Sequence, residues 1–225
     1  MNSLVSDLQS SFILERKLTH NIVVVHEIIH SMKRKSGKKG WMAIKMDLEK
    51  AYDQLRWSFV KDTLTMAHIP TWLIDRIMHC ISNFQMKVLW NDFMLEAFTP
   101  TRGVRQGDSL SPYIFVLVME VLAHRIQHAI DSKRWEGIRL GRSGPIISHL
   151  FFADDMFLFA EATIEQARVI KEVLHIFSDC SGQRVNRQKT KVYFSKNVSL
   201  HDKNSISREF GFGVTSNLGK YIGSP

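Results

Sequence analysis

Two adjacent aspartates, Asp154 and Asp155, lie between two apolar stretches of this 225-residue sequence. Residues 146–152 before them and 156–160 after them are mostly aliphatic or aromatic, which predicts a hairpin with the carboxylates at its turn. Neighbouring carboxylates repel each other unless a cation lies between them. Their hard oxygen atoms suit Mg²⁺, which binds one or two protein carboxylates together with substrate phosphates. An isolated Asp-Asp pair usually only terminates a turn, so further residues are needed to indicate a metal site.

A third carboxylate, Asp47, stands at the end of an alternating segment. The alternation predicts a strand whose two faces carry Met42, Ile44, Met46 and Leu48 on one side and Trp41, Ala43, Lys45 and Asp47 on the other. Three carboxylates brought together could hold two metal ions. One ion would activate an attacking hydroxyl group and the other would stabilise the leaving oxygen.

The remaining segments predict mostly helices. Helical spacing of apolar residues predicts helices over residues 12–35, 49–66, 71–83, 111–132 and 163–180. Short strands are predicted around Val88 and Trp90, leading into a hairpin turn at Asn91-Asp92, and at residues 191–194. The pattern favours an α+β fold, in which a small antiparallel sheet carries Asp47 and the Asp154-Asp155 hairpin and helices pack on its back.

Composition narrows the classes of partner. The net charge is +8, which suits a polyanionic partner without proving one. The two cysteines, Cys80 and Cys180, are far apart and form no CxxC motif, so no disulfide-linked partner is expected. The N-terminus lacks a signal-peptide pattern, and no apolar run approaches the roughly 18 residues of a membrane span. We therefore expect a protein inside the cell, nuclear or cytoplasmic, with no membrane partner.

Three ordered segments give the metal hypothesis a context. They read AIKMDLEKAYD (residues 43–53), RGVRQGDSLSP (residues 102–112) and FADD (residues 152–155). They closely resemble motifs A, B and C of reverse transcriptases, specifically those of non-LTR (LINE-type) retrotransposons. Residues 9–16 resemble the upstream Q-x-x-F-x-x-x-R segment of that family, residues 181–190 its motif D and residues 221–223 its motif E. Six ordered matches are far more specific than any one of them.

The resemblance implies an RNA-directed DNA polymerase with a two-metal nucleotidyl-transfer mechanism. Its cofactor would be Mg²⁺ (or Mn²⁺), and its partners an RNA template, a DNA primer and deoxynucleoside triphosphates. The implied fold is a polymerase palm, with residues 1–40 as a partial fingers segment and residues 41–225 as the palm with inserted fingers elements. Because family members also have earlier fingers residues, an endonuclease domain and a thumb, we expect a partial domain that lacks them.

The resemblance also implies roles for single residues. Asp47 and Asp154 would ligate the metals, Asp155 would support the site, and the Leu48 carbonyl would be an extra ligand. Lys189 would donate a proton to the departing pyrophosphate. The implied substrate-binding residues are Arg16 at the triphosphate, Tyr52 as a steric gate below the sugar 2′ position, Gln106 and Gly107 at the nucleotide and template, and Tyr221 near the primer.

Two alternatives stay open. The segment from His26 to His30 matches HExxH, in which two histidines one helical turn apart bind zinc in metallopeptidases. Lys33 and Ser36 stand where the extended form of that motif has Gly and His, so exposed polar residues on an amphipathic helix are the favoured interpretation. The other alternative is a catalytically silent retroelement remnant, or an RNA-binding module, that keeps the palm fold.

Overall fold

A five-stranded sheet brings together the segments that contain the candidate carboxylates. The computed structural model describes residues 4–6, 8–9, 13, 16, 18–141, 144–152 and 155–218. The strands are β1 (Trp41–Met46), β2 (Leu89–Trp90), β3 (Phe93–Met94), β4 (Ile138–Arg139), β5 (Ile146–Ile147), β6 (His149–Phe152), β7 (Asp155–Glu161), β8 (Lys191–Phe194) and β9 (Gly213–Val214). The helices are α1 (Leu18–Arg34), α2 (Trp57–Met66), α3 (Thr71–Ser82), α4 (Ser111–Asp131), α5 (Ile164–Ser181) and α6 (Leu200–Phe210).

The main sheet has the order β6-β7-β1-β8-β9. Strand β1 lies antiparallel to both β7 and β8, β6 lies antiparallel to β7, and β8 pairs with β9 in parallel. The β1–β7 ladder runs from the pair Trp41 and Glu161 to the pair Met46 and Met156. This register places residues far apart in sequence on neighbouring strands, which confirms the predicted α+β fold.

The predicted two faces of β1 are confirmed by the core. Met42, Ile44 and Met46 belong to the larger buried cluster, which also contains residues of α2, α4 and α5. Ala43 belongs to a second buried cluster with residues of α1 and β7. The sheet therefore has helices on both faces, which explains why β1 reads as an almost continuous apolar run.

Helix α4 passes through the larger cluster and is buried on most of its surface. It is the helix, among the described residues, whose length and hydropathy would allow it to cross a membrane, and 61% of that stretch is buried inside the fold. Core helices of globular proteins have the same composition. Its burial against the sheet is sufficient to explain its hydropathy.

The prediction of a helix that begins at Glu49 is wrong for the first part of that segment. Helix α2 begins only at Trp57, and residues 49–54 form consecutive turns. The backbone of the turn segment is bound by distant residues, because Val104 N–H donates to the Tyr52 carbonyl at 2.9 Å and Gly103 N–H donates to the Leu55 carbonyl at 2.7 Å. These tertiary hydrogen bonds outweigh the local helical propensity.

Helix α6 and strand β9 were not predicted. The helix has clear terminal signals, since the Ser199 side chain accepts a hydrogen bond from Asp202 N–H at its start and Gly211 adopts φ +72° at its end. Helix α6 was not predicted because its apolar residues show only a weak helical periodicity. The division into a fingers segment and a palm stays a prediction.

His149 in β6 gives the fold a pH-dependent stability. Burial lowers the pKa of His149 from 6.5 to about 4. The unfolded chain takes up a proton on this ring below about pH 6.5, whereas the folded chain does so only near pH 4. Stability contributed by the neutral ring is therefore present above pH 6.5 and is lost as the pH falls towards 4.

We expect the free energy of unfolding to fall by roughly 2 kcal/mol from this residue between pH 7.5 and about pH 5. Urea denaturation of the wild type and His149→Phe at both pH values measures it, and the variant should show a shallower pH dependence. Burial also raises the pKa of Glu120, which acts in the opposite direction, but that contribution is common to both proteins. Equal pH dependence in the two proteins would contradict the assignment.

Candidate functional site

Asp47 and Asp155 lie at the same end of two neighbouring strands. Met46 pairs with Met156, so the next residue along β1 and the preceding residue along β7 are the two aspartates. The ladder ends at the Met46–Met156 pair, so both aspartates come immediately after its last pair, at the same end of the sheet. Asp155 also pairs with Phe152 across the β6–β7 hairpin. The predicted hairpin is thus confirmed, whereas Asp154 lies outside the described residues.

The Asp47 carboxylate is only partly satisfied by protein groups. Its Oδ2 lies 4.0 Å from Lys189 Nζ, and among the described residues its buried Oδ1 has no hydrogen-bond partner. A buried carboxylate oxygen without a partner is costly, and a cation would offset that cost. The oxygen donors at this end of β1 and β7 therefore fit a divalent metal ion. Within the described part of the chain no three acidic, His or Cys side chains form a metal-binding group, and Asp154 is outside it.

The loop that carries Lys189 is attached to the end of β1 by backbone hydrogen bonds. Asn186 N–H donates to the Asp47 carbonyl at 2.9 Å, and Asp47 N–H donates to Thr190 Oγ1 at 3.3 Å. The Asn186 side chain accepts hydrogen bonds from Gln188 N–H and Lys189 N–H, which shapes the loop. The Lys189 side chain is 70% exposed, so its ion pair with Asp47 is weak and the ammonium group can reach an incoming anion.

Leu48, the residue predicted to be an extra metal ligand, lies at the same junction between the end of β1 and the loop that carries Lys189. It forms an isolated bridge with Val185, and Glu49 N–H donates to the Arg184 carbonyl at 2.8 Å. Beside this junction lies an open cavity of about 1020 Å³. Its lining is strongly basic and includes Lys50, Lys171, Arg184, Arg187 and Lys189. One carboxylate, Glu49, also lines the cavity, and Lys189 is the lining residue that approaches Asp47. The excess of basic side chains favours an anionic ligand.

Tyr52 lies in the turn after β1 with its ring against α4. The ring stacks on Phe115 at a centroid distance of 4.9 Å and an interplanar angle of 19°. The Tyr52 carbonyl accepts from Val104 N–H, so the turn and the segment before Gln106 are joined. Gln106 is exposed, and Gly107 adopts φ +87° just before α4. The structure thus brings Tyr52 and the Gln106-Gly107 loop to one region.

Other predicted site residues lie elsewhere or outside the described chain. The Arg16 guanidinium donates to the carbonyls of Val5 at 2.8 Å and Gln9 at 2.7 Å, and also to that of Ser6. Its triphosphate contact stays a prediction. Tyr221 lies outside the described residues. The two histidines of the HExxH segment, His26 and His30, are exposed on α1, and no third ligand joins them in the described part of the chain.

Three residues that fix the turn after β1 were not predicted from the sequence. Gln183 is buried and its Nε2 donates to the Ala51 carbonyl at 2.6 Å. Gly182, at φ +82°, lies so close to the Gln54 carbonyl that a Cβ atom would be 2.6 Å away. Gly103 makes a similar approach to the Asp53 carbonyl. Gly103 and Gly182 lie within segments that resemble motifs B and D, but the sequence does not show their contacts.

Comparison with known families agrees with this geometry. The model of the family described as reverse transcriptase (RNA-dependent DNA polymerase) matches residues 1–223. The chain belongs to the reverse transcriptase family. The family assignment confirms the resemblance drawn from the motifs, and it covers nearly the whole sequence.

Curated relatives of this reverse transcriptase domain include retrotransposon proteins. The Pol polyprotein from type-2 retrotransposable element R2DM of Drosophila melanogaster is 31% identical over 144 residues, which are 64% of this chain and 13% of that protein. The Pol polyprotein from a type-1 element R2 of Nasonia vitripennis is 28% identical over 160 residues, 71% of this chain and 15% of that protein. These relatives confirm the predicted similarity to non-LTR elements.

An uncharacterized mitochondrial protein of Arabidopsis thaliana is 43% identical over 75 residues, which are 33% of this chain and 62% of that protein. The chain therefore spans less than two thirds of each of these curated relatives.

Solved telomerase structures have a similar fold. Apo telomerase from Candida tropicalis, truncated from its C-terminal domain, gives a TM-score of 0.57 at 16% identity and covers 84% of this chain and 37% of that one. Telomerase from Candida albicans with the TWJ fragment of telomeric RNA gives 0.57 at 14% identity, covering 81% of this chain and 31% of that one. At such low identity the similarity concerns the fold, a polymerase palm-like α+β arrangement.

Proposed function

We propose that this domain catalyses RNA-directed DNA synthesis by two-metal nucleotidyl transfer, with Asp47, Asp154 and Asp155 as its metal-binding carboxylates. The observation that supports it is the β1–β7 register, whose last pair, Met46 and Met156, leaves Asp47 and Asp155 at the same end of the sheet, in a chain of the reverse transcriptase family. The buried Oδ1 of Asp47 gives a second reason, because it has no hydrogen-bond partner among the described residues and a cation would satisfy it.

Mg²⁺ (or Mn²⁺) would supply activation of the primer hydroxyl and stabilisation of the leaving oxygen. The residues of this chain would bind the metal, orient the substrates and protonate the leaving pyrophosphate. Asp47 and Asp154, with the Leu48 carbonyl, would hold the metal, and Asp155 would support them. Lys189, exposed within 4.0 Å of Asp47, would donate a proton to the departing pyrophosphate.

Substrate contacts are proposed for a second group of residues. An RNA template, a DNA primer and deoxynucleoside triphosphates would meet at the end of the sheet that carries Asp47 and Asp155 and in the basic cavity lined by Lys189. The contacts would come from Gln106 and Gly107 at the nucleotide and template, Arg16 at the triphosphate and Tyr221 at the primer. The location would be nuclear or cytoplasmic.

The proposed activity is tested by primer extension on an RNA template with Mg²⁺, using the wild type and Asp154→Ala. We expect template-dependent extension by the wild type, loss in Asp154→Ala, and wild-type rates in Asp62→Ala, which removes an exposed carboxylate of α2. Template binding is measured in parallel over a range of salt concentrations. Salt-sensitive binding by a wild type that extends no primer would contradict the polymerase and favour the RNA-binding module, which the net charge of +8 also suits.

Tyr52 is expected to control selection of the sugar. If its ring blocks the 2′ position, Tyr52→Val should raise ribonucleotide incorporation relative to deoxynucleotide incorporation by about 10–100-fold, equivalent to roughly 1–3 kcal/mol. Tyr52→Phe keeps the ring that stacks on Phe115 and should retain the selectivity. The measurement is the ratio of kcat/KM for the two nucleotide types. An unchanged ratio in Tyr52→Val would leave the ring with a packing role only.

A further inference from the structure

The edge of the main sheet is closed by residues near the N-terminus. Strand β6 is the outermost strand on that side, and it pairs with β7, which begins at Asp155. We call the described residues 4–6 and 8–9 the strap. Phe151 N–H donates to the Leu8 carbonyl at 2.9 Å, and Gln9 forms a parallel bridge with Phe151. The strap thus supplies the hydrogen-bond partners that an edge strand otherwise exposes.

Asn21 fixes the strap and the hairpin to α1. It is 5% exposed, and its Nδ2 donates to the Phe151 carbonyl at 3.2 Å and to the Leu8 carbonyl at 3.4 Å. An amide group has two N–H donors, and these two acceptors belong to different segments. Both backbone groups of Phe151 are therefore bound, one by the strap and one by α1.

Glu120 fixes the other end of the strap to α4. It is 6% exposed on a helix whose buried residues are otherwise mostly apolar, and its Oε1 accepts from Ser6 N–H at 3.0 Å. Burying a carboxylate there is costly, so its retention indicates a specific contact. The Arg16 guanidinium completes the arrangement, because it holds the carbonyls of Val5, Ser6 and Gln9 together.

We infer that Asn21 and Glu120 are positioning residues, which act through the strap to hold the β6–β7 hairpin so that Asp155 stays at the same end of the sheet as Asp47. Phe151 pairs with Met156, the residue next to Asp155, so the strap contact is one residue pair away from the Asp155 backbone. Carboxylates that share an ion need fixed relative positions, and outer residues that orient ligands commonly change metal affinity by about 10–100-fold. The inference rests on the proposed function for the metal site.

The experiment measures Mn²⁺ affinity by electron paramagnetic resonance, without nucleotide or template, together with amide hydrogen exchange in β6 and β7. Asn21→Leu and Glu120→Leu each remove one end of the strap contacts at similar side-chain size. We expect both variants to bind Mn²⁺ about tenfold more weakly and to exchange the Phe151 amide faster. Glu120→Gln keeps the acceptor oxygen and should stay within about twofold of the wild type.

Matched controls are Glu27→Leu on α1 and Gln127→Leu on α4, both at exposed positions, for which no change is expected. Urea denaturation checks folding, and Asn21→Ser, which shortens the donor, replaces any variant that does not fold and should change Mn²⁺ affinity in the same direction. Unchanged Mn²⁺ affinity with faster exchange would overturn the inference, because the strap would then be structural only. A wild type without an Asp47-dependent Mn²⁺ site would overturn it too.

The two proposals fail in different ways. A wild type that binds Mn²⁺ and is weakened by the strap variants, yet extends no primer, would contradict the polymerase and support the positioning role. A wild type that extends primers, with strap variants that keep their Mn²⁺ affinity and their Mg²⁺ dependence of extension, would support the polymerase and contradict the positioning role.

Discussion

Asp47→Asn is expected to lower the rate of primer extension at least about a thousandfold, which corresponds to roughly 4 kcal/mol in the activation free energy. The reason is local. Asp47 follows the last residue of β1, at the same end of the sheet as Asp155, and offers a buried oxygen that no described protein group satisfies. The neutral amide keeps the size of the side chain but loses the charge that binds a cation. Single-turnover extension at saturating Mg²⁺ measures the rate, and template affinity should stay within about threefold.

The same substitution should leave the fold at least as stable as the wild type. A buried carboxylate oxygen without a partner disfavours the folded state, and an amide oxygen is less costly to bury. Such a trade between stability and activity is typical of functional sites. Asp53→Asn is the matched control, because Asp53 lies in the turn segment that follows Asp47 and its side chain is exposed. Equal loss of extension in both variants would mean that the turn, and not the Asp47 charge, limits the reaction.

Gly103→Ala should destabilise the fold by about 2–4 kcal/mol. Gly103 adopts φ +89°, a conformation that disfavours any Cβ atom, and a Cβ built there would be 2.8 Å from the Asp53 carbonyl oxygen. The approach is to backbone, so no side-chain rotation relieves it. Gly103 N–H and Val104 N–H also donate to the Leu55 and Tyr52 carbonyls. A displacement of the backbone at Gly103 should therefore move Tyr52 and weaken nucleotide binding.

Gly37→Ala separates the two causes in this prediction. Gly37 has a similar φ of +92°, but none of the described residues has an atom within 4 Å of a Cβ built there. Gly37→Ala should therefore lower the free energy of unfolding only by the cost of the positive φ angle, about 1 kcal/mol. Urea denaturation of both variants gives the difference, which is the contribution of the close approach to Asp53. Equal losses would show that the turn moves away at little cost.

Local patterns in the sequence predicted the elements that bear the aspartates. Alternation from Trp41 predicted β1 and its two faces, and the apolar segments around Asp154 and Asp155 predicted the β6–β7 hairpin. These predictions hold because successive side chains of a strand point to opposite faces of the sheet, and both faces of this sheet bury apolar residues. Helix α6 shows the limit of that approach, since it is mostly polar and is specified by its caps.

Local patterns of residues are sufficient to assign the family, the order of its motifs and the residue types available for metal binding, because motif order and strand periodicity are properties of the chain. Which of these residues meet depends on the tertiary structure. It replaced the helix predicted at Glu49 by a turn held by residues 103–104 and 181–183, and it brought Lys189 to Asp47. It also joined Asn21 and Glu120 to the strap. Contacts between segments distant in sequence depend on the register of the sheet and on backbone hydrogen bonds, and neither leaves a local pattern in the sequence.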